Sequence, residues 1–363
     1  MRTLAKLLVA MALSCAAVNA APYQEAGHFF TAYALVATAE PHDKPRARIL
    51  TALCAQLPDM AADLDATQVY LRLMKGNPVA WTLWGLRDNT RPDVVRKMVT
   101  VQQLLHALTG GTATVLQNNV ALPLVASLRA SVAAASPGTP QQAVAYCAWG
   151  FGLHFYGDAF AHDRMDKPGS MYSTGQGHAI HLNYPDYPLC DVLASGIQIT
   201  EHCKFTGKDD QRFGRWKQIW SDAGEAYDVI GFKEKDPAVR KALFASVATL
   251  GPAADDVNDW NEKAMRKKLV PGDDDKRIDK YVDFITSQHS NSSCEKVLAD
   301  ALQQIPELQD FKFQGLTCAA VWKAYSDAAR KAFSNPKALG ARFDKLDRPL
   351  DKIYIDMPLD PAR

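Results

Sequence analysis

Two histidines and an aspartate recur at four-residue intervals in His154-Phe155-Tyr156-Gly157-Asp158-Ala159-Phe160-Ala161-His162. On an α-helix, where each residue turns by about 100°, positions i, i+4 and i+8 drift by only about 80° and share one face. Two imidazoles and a carboxylate on one face are ligands for a first-row metal, and zinc accepts this nitrogen–oxygen mixture in catalytic sites. Gly150, Gly157, Ala159 and Ala161 are small, so neighbouring backbone can come close around that face. A lone His-x-x-x-Asp is most often a structural histidine beside a solvated acid. The third residue in phase lifts this segment above that reading.

Further donors lie on either side. Gly177-His178 and Pro185-Asp186 follow in the next loop, where a chain reversal would return them to the C-terminal end of the helix. His162, His178 and Asp186 would then make a set of two histidines and one carboxylate with open positions for water. Upstream, His28 closes Glu25-Ala26-Gly27-His28, and Asp59 sits in Gln56-Leu57-Pro58-Asp59-Met60. His106 lies in the apolar stretch Leu104-Leu105-His106-Ala107-Leu108, where a polar tip needs a partner. Taken singly, each is an ordinary hydrogen-bonded core residue; their weight comes from the sum.

In order, His28, Pro58-Asp59, His106, His154-x-x-x-Asp158-x-x-x-His162, His178 and a later carboxylate resemble the ligand series of the zinc-dependent phospholipase C / P1 nuclease family. The resemblance covers roughly residues 25–190 and is one of ligand order. It implies an all-α fold with a trinuclear zinc site, two or three Zn²⁺ ions being bound per chain. Asp59, His106, His154 and Asp158 would hold one ion. Asp158 would bridge to a second that also takes His28, and His162, His178 and Asp186 would hold the third. Family members complete one zinc with a mature N-terminal Trp; here the amine of Ala21 and the carboxylate of Glu25 are the alternatives.

The chemistry implied is phosphodiester hydrolysis, in which metal-activated water attacks while the cations neutralise charge on the phosphoryl oxygens. Asp158 is the expected bridge and orienting group. Asp63, four residues after Asp59, is a candidate supporting carboxylate or base, with a solvated surface position as its plainer reading. The expected activity is that of a phospholipase C releasing phosphorylated headgroups, with a phospholipid or other phosphodiester as substrate and transient contact with a membrane surface. Trp81, Trp84, Tyr156 and Tyr172 could cage a choline-type group or stack bases, although a core role for Trp81 and Trp84 is simpler. Two alternatives stand beside this one: a noncatalytic zinc-binding helical module, and a single-strand nuclease on the same scaffold.

The elements that must position these residues are helical. The spacing of apolar residues predicts helices over Glu25–Ala39, Arg46–Leu57, Val94–Leu108, Val120–Ala135 and Pro140 to about His162. Thr139-Pro140 supplies an N-cap and a first-turn proline for the last of these, and Gly110-Gly111 a C-cap after Leu108. Asp163–Cys190, rich in Gly, Pro, Tyr, Ser and Asp, reads as a long ordered loop. More charged helices follow at Arg212–Val229, Pro237–Leu250, Ala254–Lys268, Asp279–His289, Cys294–Leu302 and Thr317–Phe333. The expected fold is therefore mainly α, a multi-helix bundle. Residues 21–205 would form the metal-binding domain, and 206–363 a C-terminal helical region packed on it.

Composition sets the outer limits. Of 363 residues, 47% are apolar and 22% charged, as in ordinary globular proteins. Forty-one Lys and Arg against 40 Asp and Glu leave a net charge of +1. No broad basic field exists to hold a polyanion, so no stable nucleic-acid partner is expected. Arg2 and Lys6 precede the apolar run Leu7–Ala12, and Val18-Asn19-Ala20 fits the small-x-small rule. Residues 1–20 thus read as a signal peptide cleaved before Ala21, and the mature chain is expected to be secreted or periplasmic. Of seven cysteines, Cys15 falls in that segment; six remain, an even count suited to disulfides. Local spacing suggests Cys190 with Cys203 and Cys294 with Cys318. Cys54 and Cys147 remain, either bridged or as buried thiols.

Overall fold

The computed structural model describes residues 28, 29, 32, 33, 36, 45–66, 69, 100–164, 167, 169–173, 275–287, 292–311 and 315–333. The expected signal segment, Glu25, His178, Asp186, Trp81, Trp84, the expected Cys190/Cys203 pair and the helices expected between 212 and 268 lie outside the described residues. Those described are mainly α. They comprise α1 (Pro45–Met60), α2 (Ala113–Leu116), α3 (Leu122–Ala134), α4 (Pro140–Ala161), α5 (Asp275–Ser287), α6 (Cys294–Gln304) and α7 (Cys318–Ala332). His28, Phe29, Ala32, Tyr33 and Val36 are also helical. The only β-type pairing among the described residues is three isolated antiparallel bridges.

α4 is the axis of the bundle. It starts as the sequence predicts: the Thr139 hydroxyl accepts from the Gln142 N–H at 3.3 Å, and Pro140 occupies the first turn. Every residue from Ala145 to Ala161 is buried. A helix apolar all round must be surrounded, and α1, α3 and α7 pack against it. Phe151 meets Tyr325 with ring centroids 5.8 Å apart, and Phe155 meets Phe333 at 5.5 Å. The C-terminal helices therefore share one apolar core with the N-terminal ones.

α1 lies closest, and a crosslink holds it there. Cys54 and Cys147 form a disulfide between α1 and α4, with their Cα atoms 5.0 Å apart. One turn further along α4, a Cβ on Gly150 would clash with the Thr51 carbonyl and stand 2.8 Å from Cys54 Cβ and 2.9 Å from the Ala55 nitrogen. Only glycine permits this approach. The second disulfide joins Cys294 to Cys318, the first residues of α6 and α7. Ser293 and Thr317 cap the same two helices through their hydroxyls, and Glu295 accepts from the Cys318 N–H at 2.7 Å. Both crosslinks fit an oxidising compartment. Among the described residues, no helix is long and apolar enough to cross a membrane.

The expected helix Val94–Leu108 differs. Thr100–Leu105 is a π-helix that stops before His106, and Ala107 has φ 52°, in the left-handed region. The His106 N–H donates to the Val101 carbonyl at 3.2 Å and the Leu108 N–H to Gln102 at 2.8 Å, so the ladder widens and ends. Apolar periodicity cannot register such a break, which marks functional positions more often than ordinary ones.

Gly150→Ala should destabilise the fold by about 1–3 kcal/mol, the usual range for forcing a methyl group into a filled core. Chemical denaturation of the oxidised protein measures this. A variant as stable as the parent would show that α1 and α4 separate freely.

Candidate metal centre

Six of the side chains singled out in the sequence converge between α1, α4 and the residues after the π-helix. His154 and Asp158 come from successive turns of α4, and His162 is its C-cap. Asp59 comes from the last turn of α1, where Pro58 withdraws an amide hydrogen and the helix ends at Met60. His28 and His106 both pack against the ring of His154. None of the six is more than 7% exposed.

Three of the four imidazoles are each held in one orientation by a backbone carbonyl. A carbonyl only accepts, so the ring nitrogen facing it carries the proton. His154 Nδ1–H donates to the Ala55 carbonyl at 2.8 Å. His106 Nε2–H donates to Leu64 at 2.9 Å, and His162 Nδ1–H donates to the carbonyl of His106 at 2.6 Å. In each ring the other nitrogen is left with a lone pair. This is how metal-binding histidines are usually oriented, through a hydrogen bond on the distal nitrogen.

The lone pairs of His154 and His106 face one another. His154 Nε2 lies 3.1 Å from His106 Nδ1, and each is 3.2 Å from Asp158 Oδ2. Three acceptors at this spacing repel unless a positive charge lies among them. Donors at about 2.0–2.1 Å around a four-coordinate zinc would stand roughly 3.3 Å apart, close to what is observed. Asp59 Oδ1 is 3.8 Å from His106 Nδ1 and 3.9 Å from His154 Nε2. The other oxygen of Asp158 faces His28 Nε2 at 3.1 Å. Two triplets result, His28–His154–Asp158 and Asp59–His106–His154, each with donor atoms within 4.8 Å of one another. These buried groups can hold a metal ion.

Protonation states suit that role. Burial lowers the pKa of His28 and His162, against the attraction of Asp158. Burial and the neighbouring His28 take His154 down to about 3. Burial alone would raise Asp158, but the imidazoles of His154, His162 and His28 outweigh it and hold the carboxyl well below its usual range. Neutral imidazoles around an ionised carboxylate are the forms that bind a cation.

His162 completes the α4 face, with Nδ1 3.9 Å from Asp158 Oδ2. The loop after it does reverse. Tyr172 donates its N–H to the His162 carbonyl at 2.9 Å, and bridges pair Asp163 with Met171, Thr112 with Ser170 and Thr109 with Ser173. The reversal directs the chain back past the His106 segment before it leaves the described residues ahead of His178. Asp63 is buried, and its Oδ1 accepts from the Cys294 N–H at 2.8 Å, at the first turn of α6. A carboxylate there also complements the helix dipole. Tyr156 and Tyr172 are buried core residues.

Sequence reasoning missed Gln56. Its Nε2 donates to Asp59 Oδ2 at 3.1 Å, and its Oε1 accepts from the Phe29 N–H at 3.1 Å. The available signal was its place one helical turn before Asp59. The carbonyls of Ala55, Leu64 and His106 carry no residue-type signal at all.

Comparison with protein-family models, with curated proteins and with solved structures yields no match. The functional reading therefore rests on the donor geometry.

The metal-free protein should lose stability as pH falls. A histidine whose folded pKa is depressed takes up protons on unfolding, so its contribution is intact above the ordinary value of 6.5 and declines toward the folded value of about 3 for His154. Asp158 adds a further loss below its ordinary 3.8. Denaturation midpoints between pH 7.5 and 4 check this; a flat profile would contradict neutral buried imidazoles.

Proposed function

We propose that this chain is an exported zinc-dependent phosphodiester hydrolase of phospholipase C type, which releases phosphorylated headgroups. The observation that carries the reading is the convergence of the carbonyl-oriented rings of His106 and His154 on one oxygen of Asp158 while His28 faces the other. In this reading Asp59, His106, His154 and Asp158 hold one ion, Asp158 and His28 a second, and His162 with His178 and Asp186 a third. Ions bound there supply positive charge for the phosphoryl oxygens and acidify water. The chain's own part is to divide the carboxylate of Asp158 between two neighbours, to keep the imidazoles neutral and aimed, and to exclude bulk water around them. The near-neutral net charge favours a phospholipid or small phosphoester over a polynucleotide. Two disulfides and the N-terminal signal pattern support export, with cleavage before Ala21.

A second reading, a noncatalytic zinc-binding module, is favoured by one observation: the six donors among the described residues are all buried. Structural metal sites are closed, whereas catalytic ones keep an open position.

Metal analysis of the mature protein should find two to three zinc ions per chain, together with release of phosphorylated headgroups from mixed phospholipid vesicles. Zinc without cleavage of any phospholipid, phosphodiester or single-stranded nucleic acid would select the noncatalytic module. No zinc after supplemented refolding would defeat both. Asp158→Asn preserves shape but removes the shared charge, and should lower turnover by roughly a hundredfold or more. Unchanged turnover would take Asp158 out of the mechanism.

A further inference from the structure

We propose that Gln56 is a positioning residue that aims Asp59, an inference that rests on the metal reading above. Gln56 is 1% exposed, and its amide is engaged at both ends. The backbone N–H of Phe29 can only donate, so the amide oxygen must face it, and the amide nitrogen is thereby turned toward Asp59. One planar group thus links the carboxylate of the Asp59–His106–His154 triplet to the backbone bearing His28, a member of the other.

The consequence for Asp59 is rotational. Gln56 Nε2 donates to Oδ2 at 3.1 Å. With that oxygen held, Oδ1 faces His106 and His154 at 3.8 and 3.9 Å, while Oδ2 stands 3.8 Å from His28 Nε2. The donor is also neutral. A lysine or arginine in its place would orient the carboxylate but cancel the charge that attracts a cation; an amide orients it and leaves the charge intact.

The experiment uses the full-length oxidised protein loaded with Co²⁺, whose visible absorption reports each ion as a chelator competes for it. Gln56→Met keeps the side-chain length and removes both hydrogen bonds. It should weaken the ion held by Asp59, His106, His154 and Asp158 about 10–100-fold, while the ion on Asp158 and His28 stays within about twofold. Asp59→Asn should weaken the same ion, and adding Gln56→Met to Asp59→Asn should cost nothing more. Additive losses, or equal weakening of both ions, would overturn the proposal, since a merely structural glutamine would produce them. If the Met variant does not fold, Gln56→Glu keeps the acceptor for Phe29 and changes only the group facing Asp59. It should show the same selective weakening, and unaltered affinity would overturn the proposal. An unsubstituted chain that binds no cobalt would bring down the metal reading, and this proposal with it.

Discussion

Mutual repulsion among buried lone pairs is the constraint on which this fold turns. His106 Nδ1, His154 Nε2 and Asp158 Oδ2 stand 3.1–3.2 Å apart, with burial removing the water that would screen them. The surroundings hold them together regardless. Backbone carbonyls from three different segments fix the rings, the Cys54–Cys147 bridge holds α1 against α4, and Gly150 removes the one methyl group that would separate them. A scaffold that concentrates negative potential in this way is arranged for a cation.

The C-terminal helices contribute to the same arrangement from behind. Tyr325 on α7 donates its hydroxyl to the carbonyl of Leu104, in the π-helix that leads to His106. The first turn of α6 donates to Asp63, and Ser292 accepts from the Ala62 N–H at 2.8 Å. These contacts bear on the turn that carries the Leu64 carbonyl, and so on the orientation of His106. The segments that carry the candidate metal donors thus depend on residues more than 200 positions away in the chain.

What could be read in advance follows from the physics of each feature. The shared face of His154, Asp158 and His162 depends only on helix period, as does the α4 start at Thr139-Pro140, and both appear as read. The Cys294–Cys318 pairing was legible from spacing. The Cys54–Cys147 pairing emerged only as the remainder, because nothing local draws together residues 93 positions apart. Asp63 was assigned by its distance from Asp59, whereas its amide partner at Cys294 is a long-range contact that no local pattern encodes. The π-helix before His106 was read as a regular helix, since its apolar spacing is the same until the ladder widens. Left-handed Ala107 is a position where tertiary demands overrode propensity.

The long Cys54–Cys147 loop also bears on how the donors are brought together. By chain-entropy reckoning, closing a loop of this length removes about 4–5 kcal/mol of freedom from the unfolded chain. Thiol oxidation therefore offsets part of the cost of drawing α1 and α4 together, and with them the buried donors that they carry.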